Sequence, residues 1–237
     1  MADILKNFKQ TKTAWGLAVS LMATSFFITI STAMAIIGYG LIGSFLEDKA
    51  VDALVIIIFP LGLILAVLGG TKFLLTKQNQ TLKGFLSLRL PKKNAFWLVP
   101  VAVISYIVVL IVALSILMAL NPEAAKQEQD VALAVEKMGG WKLIASVIGV
   151  GLLTPIGEEL FFRVLLIRMY AKRLNKYWAV GISSFLFALA HAQLNVGIDT
   201  FIFGAFLGFV TIKTESIYPA IGMHMLKNGL ALAFIIT

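Results

Sequence analysis

Residues 154–166 read TPIGEELFFRVLL. Two adjacent carboxylates, Glu158 and Glu159, and a guanidinium, Arg163, stand inside a run that is apolar on both sides. A charge at the centre of a bilayer costs about 3 kcal/mol or more. Three of them together either tie helices to one another or carry out chemistry, and which applies depends first on whether the surroundings are membrane.

Composition answers that. Of 237 residues, 59% are hydrophobic and 14% charged, and the mean hydropathy is +0.93, where a soluble domain carries about 25% charged residues. The apolar residues collect in seven runs, 14–44, 51–75, 96–120, 141–167, 177–194, a short 198–212 and 216–236, most of them long enough to cross a bilayer. The expected fold is all-α, a polytopic bundle of about seven to eight transmembrane helices around a polar intramembrane cavity. The first run follows Lys6, Lys9 and Lys12 and contains STAMA, a small-residue pattern resembling a cleavage site. Its apolar stretch is about twice the length of a signal-peptide core, which makes it a retained anchor. Pro155 and Gly157 are expected to kink or break the fourth helix just ahead of the acids.

With no internal repeat and no linker, residues 1–237 form one membrane domain, with N-terminal helices in 1–120 and a core in 141–237. The absence of cysteine excludes disulfides, thiolate metal sites and a thiol nucleophile. The net charge of +8 gathers beside the apolar runs, so membrane lipids are the expected partner and nucleic acid is not. Lys77, Lys83, Arg89, Lys92 and Lys93 follow the second run, and Arg168, Lys172, Arg173 and Lys176 follow the fourth. Glu47, Asp48 and Asp52, and then Glu123, Glu128, Asp130 and Glu136, occupy the alternate loops. This alternation predicts a cytoplasmic N-terminus and, with seven spans, an external C-terminus. The basic segment 80–94 fits either a helix lying on the inner surface or a solvated loop.

Few charged residues remain inside the runs: Glu158, Glu159, Arg163 and Lys227, with Asp199 and Lys142 near the edges. Both histidines of the chain, His191 and His224, are there as well. At about 1.5 Å per residue, Glu158 stands roughly 15 Å from Arg168, His191 roughly 21 Å from Tyr177 and His224 roughly 16 Å from Lys213. All three groups come out near mid-membrane on separate helices, and Asn228 shares the face of His224 at i+4. Gly204 and Gly208 in the sixth run mark a close helix contact.

A carboxylate at such a site can deprotonate a water, an imidazole can share that water, and a second imidazole with a carboxamide can donate to an oxyanion. Such a set performs acyl hydrolysis. Ser183 and Ser184 lie two turns from His191 and form no Ser–His pair. The same Glu and two His could instead ligate a divalent metal such as zinc, although no HExxH pair is present. Adjacent Glu158 and Glu159 point about 100° apart on a regular helix, which favours a reaction without a metal cofactor.

Glu158 to Arg163 fits EExxxR, Phe187 to His191 fits FxxxH, and His224 to Asn228 fits HxxxN. In this order the three motifs resemble the signature of the CPBP family of intramembrane proteases, which includes the CAAX proteases and bacteriocin-processing Abi proteins. The resemblance covers about residues 154–229. It implies bundled helices around a conical cavity and cleavage of a hydrophobic or membrane-associated peptide. By position, Glu158 would activate the water with His191, His224 and Asn228 would stabilise the oxyanion, Glu159 and Arg163 would hold the site together, and Phe187 would pack beneath it. The simple loops favour peptide processing or bacteriocin self-immunity in a bacterial cell membrane. Two other classes use the same residues differently: a non-proteolytic scaffold or immunity protein of this fold, and a proton-coupled transporter, which an inverted repeat would favour.

Overall fold

The structure is a computed structural model describing residues 48–75, 84, 86–91, 93, 95–126, 139–191 and 193–236. The run 14–44, and with it the retained-anchor reading, lies outside the described residues. Within them all regular structure is helical: α1 Asp48–Leu75, α2 Ala95–Leu120, α3 Pro122–Lys126, α4 Trp141–Ala171, α5 Lys176–Leu189, α6 Leu194–Thr214 and α7 Tyr218–Ile236.

Among the described residues three helices, α2, α4 and α6, are long and apolar enough to cross a membrane, where the sequence reading expects seven to eight spans. Leu54–Gly69 within α1 and the whole of α5 are shorter apolar helices. α2 shows how such a helix meets lipid. Its buried side chains are Ala95, Ala102, Tyr106 and Leu117, while Phe96, Trp97, Ile104, Val108 and Ile111 are exposed. An apolar face this continuous is unfavourable in water and at no cost in hydrocarbon. The chain is an integral membrane protein.

Two boundaries differ from expectation. The sixth run, expected as a short 198–212, is a helix of 21 residues, long and apolar enough to cross. The fifth, expected to run to 194, stops at Leu189 after 14 residues, a rise of about 21 Å against a hydrocarbon core of about 30 Å. The Asn175 side chain accepts from Tyr177 N–H to start α5, and the chain turns at Ala190 to an extended Gln193 before α6 begins. His191 therefore stands in the corner between α5 and α6 and not on a helix.

Close approach sets the packing. A Cβ on Gly149 would lie 2.4 Å from Ile56 O, so α4 and α1 touch backbone to backbone there. A Cβ on Gly208 would lie 2.7 Å from Val180 Cγ1, and one on Gly204 would lie 3.2 Å from Arg163 Nη2, so α6 meets α5 and α4 through the expected pair of glycines. One core joins α1, α4 and α5 around Phe162, Leu166, Phe187 and Leu63, and a second joins α2, α6 and α7 around Tyr106, Phe203, Leu207 and Met223. Within 80–94, Leu86 to Leu90 is turn and bend and not a surface helix. Leu86 is buried in the first core, and Arg89 holds the α6–α7 corner through the Glu215 carboxylate and carbonyl. Over these residues the segment is a loop with Leu86 buried and Arg89 and Leu90 exposed, and not a surface helix.

Candidate active site

The site begins with a fault in the hydrogen bonding of α4. Wide, π-type turns start at Gly149, where Thr154 N–H reaches back five residues to Gly149 O. The next bond in that register would run from residue 155 to Val150 O, but Pro155 has no N–H. Asn228 of α7 supplies the missing donor, its Nδ2 lying 2.9 Å from Val150 O. Backbone torsions stay right-handed helical at Leu153, Thr154, Glu158 and Glu159. Pro155 therefore does not break the fourth helix, because the π turn absorbs the lost bond.

A second π stretch, Glu159–Leu166, follows at once, closed by Ile167 N–H on Phe162 O. Ser183 Oγ of α5 donates to the same carbonyl at 2.6 Å, so its hydroxyl is committed to the helix backbone. Ser184 Oγ likewise donates to Val180 O. The two glutamates sit at the junction of α and π geometry, and both reach the same imidazole. His224 Nδ1 lies 2.9 Å from Glu159 Oε1, and Nε2 lies 3.6 Å from Glu158 Oε2. The carboxylate of Glu159 only accepts, so Nδ1 carries the proton between them. The 3.6 Å gap to Glu158 is too long for a hydrogen bond and short enough for one water to touch both atoms.

Arg163 completes the set from below. Its Nε is 3.1 Å from Glu159 Oε2, and both side chains are fully buried. The N–H is not aimed at the oxygen, so the contact is an ion pair without a hydrogen bond. The guanidinium lies 4.5 Å from the Phe187 ring centroid and 5.7 Å from that of Phe162, where the ring faces attract a cation. Phe187 also meets the rings of His191 at 4.9 Å and His224 at 6.0 Å. It thus touches Arg163 and both imidazoles of the motifs.

The structure therefore brings together Glu158, Glu159, Arg163, His224 and Phe187, with Asn228 one turn from His224 on the same helix. His191 joins them only through Phe187: its Nδ1 is 2.9 Å from Phe187 O, so Nδ1–H donates to the carbonyl and Nε2 is the free nitrogen. Among the described residues no three His, Cys, Asp or Glu side chains are placed to hold an ion, and one oxygen of Glu159 is already committed to His224 and the other to Arg163.

A second polar cluster has no counterpart in the motifs. Asp199 of α6 accepts from Tyr106 Oη of α2 at 2.6 Å through Oδ1 and pairs with Lys227 Nζ of α7 at 2.7 Å through Oδ2. Asp199 and Lys227 are visible in the sequence as opposite charges inside or at the edge of spans. Tyr106 has no such signal, because one tyrosine in an apolar run reads as packing.

Residues 140–230 match the family model described as type II CAAX prenyl endopeptidase Rce1-like. The match takes in all three motifs, so the resemblance to the CAAX proteases holds for that segment. It is a family of proteases. No curated protein and no solved structure matches the chain.

Proposed function

We propose that the protein is an intramembrane endopeptidase that hydrolyses a peptide bond of a hydrophobic or membrane-associated peptide with a water activated by Glu158. The observation that carries this reading is the imidazole of His224 held between two glutamates, with Nδ1 tied to Glu159 and Nε2 facing Glu158 across 3.6 Å. Glu159, neutralised by Arg163, fixes the tautomer and orientation of the ring, and Glu158 is left to act on water. The water loses its proton to Glu158 as its oxygen bonds to the scissile carbonyl carbon. Glu158 then returns the proton to the leaving nitrogen as the C–N bond breaks.

The oxyanion falls to His224 and Asn228. With Nδ1–H spent on Glu159, His224 donates from Nε2 only while the ring carries both protons. Asn228 has one amide hydrogen left after Val150 O. His191, with Nε2 free, is the imidazole that shares the water's proton. The proposed reaction uses no metal, and one oxygen of Glu159 lies at His224 while the other lies at Arg163.

The setting we propose is a bacterial cell membrane, in peptide processing or bacteriocin self-immunity, with the N-terminus cytoplasmic. A second substrate reading is favoured by the name of the matching family, which is that of a prenyl endopeptidase: removal of the last three residues behind a prenylated cysteine. Purified protein, given one peptide with and without a prenyl group, tests both. Cleavage by the wild type that is lost in Glu158→Gln and insensitive to chelation is expected. Activity abolished by chelation and recovered with stoichiometric zinc would overturn the metal-free mechanism. Cleavage of the prenylated peptide alone would replace the first substrate class by the second.

A further inference from the structure

The cluster on the far side of His224 uses one carboxylate to tie three helices. Each oxygen of Asp199 has its own partner, Tyr106 on α2 and Lys227 on α7. Such an arrangement fixes direction as well as distance, because rotating α7 by one residue, about 100°, would carry Lys227 out of reach of Oδ2. Lys227 follows His224 by three residues and shares its face. A lysine near a membrane helix end can extend towards water, but here it turns inward, with Nζ 5.1 Å from the Phe203 ring centroid. That ring packs edge-on against His224 at 5.5 Å and tilted against Tyr106 at 4.9 Å. Phe203 is itself one turn from Asp199 on α6.

We propose that Tyr106, Asp199 and Lys227 are positioning residues that fix the rotation of α7 and so hold the His224 ring between Glu158 and Glu159. Through them α2, which lies outside the family match, becomes part of the active site. The proposal rests on the protease reading for its kinetic consequence, but not for its structural one.

The test exploits the fact that the chain has only two histidines. Protein labelled with ¹⁵N-histidine gives ring signals from His191 and His224 alone, and a His191→Gln sample assigns them. Lys227→Met and Asp199→Ala should each displace the His224 ring signals while those of His191 stay within a linewidth. Asp199→Asn combined with Lys227→Met removes both charges together with the tie between α6 and α7, and it should leave His224 displaced as the single changes do. On a cleaved peptide, the single changes should lower kcat about tenfold at unchanged KM, the cost of a slightly misplaced group, and the double variant should stay within about twofold of them. A role limited to stability would lower the folded fraction and leave the His224 signals of folded protein where they were, which overturns the proposal. Return of the His224 signals to their wild-type position in the double variant would trace the shift to an unpaired charge and not to the lost tie, and it overturns the proposal as well. If the wild type cleaves no probe peptide, the protease reading falls, and the histidine signals still decide this one.

Discussion

Glu158 and Glu159 are neighbours in the chain and differ in what they face. Glu159 is fully buried between His224 and Arg163, whereas Glu158 touches only the far nitrogen of the same ring and keeps a side-chain exposure of 12%. Glu158→Gln keeps the shape and cannot take a proton, so hydrolysis should fall by about 10²–10⁴-fold, with thermal unfolding of the detergent-purified protein unchanged. Near-normal turnover would remove Glu158 from the role of base. Arg163→Ala should behave in the opposite way. It strands a carboxylate in the core and should cost about 3–5 kcal/mol, visible as a lower unfolding midpoint before any assay is run. An unaltered midpoint would mean that the ion pair contributes little. The i+4 spacing of Glu159 and Arg163 made their pairing legible in the sequence. The sharing of His224 by both glutamates was not, because it depends on a local widening of the helix that no periodicity announces.

At the scale of the element, that widening has a chain of causes that can be tested. Pro155 removes a donor, Val150 O loses its partner, and Asn228 crosses from α7 to supply one. Asn228→Ala should leave a part-buried carbonyl unsatisfied and cost about 1–3 kcal/mol. Pro155→Ala restores an N–H in the register of Val150 O. In that background the Asn228→Ala change should cost under about 1 kcal/mol, a coupling that a double-mutant cycle on unfolding free energies measures directly. Independent, additive effects would show that Asn228 does not serve the gap left by the proline. The spacing of HxxxN marked Asn228 as a site residue without indicating this contact. In the same way hydropathy located the fifth and sixth helices but misplaced the corner between them, since His191 and Gln193 are isolated polar residues among apolar neighbours and read as the interior of a span. The turn is set by backbone geometry at His191 and Gln193, not by composition.

For the whole molecule, hydropathy conveyed the class of protein and left the span count open: three described helices meet the length and composition of a crossing, and α5, at 14 residues, is too short to be counted by that measure. Short helices belong to a bundle whose backbone bends inside the membrane where protein covers it, and apolar run length cannot distinguish these from full spans. Sidedness is the property of the whole fold that charge predicts. α4 has 31 residues and separates the Gly139–Gly140 end from the turn at Lys172–Asn175. The basic residues after α4 predict that the second end faces the cytoplasm and the first the exterior. The chain contains no cysteine, so a single introduced thiol reports without background. Gly139 and Asn175 are exposed, and a side chain at Gly139 meets nothing within 4 Å. In sealed right-side-out vesicles, a membrane-impermeant maleimide should label Gly139→Cys and should reach Asn175→Cys only after the membrane is opened. Labelling of both from outside would mean that α4 does not cross, and the reverse pattern would invert the topology and place the site's basic border on the outer face.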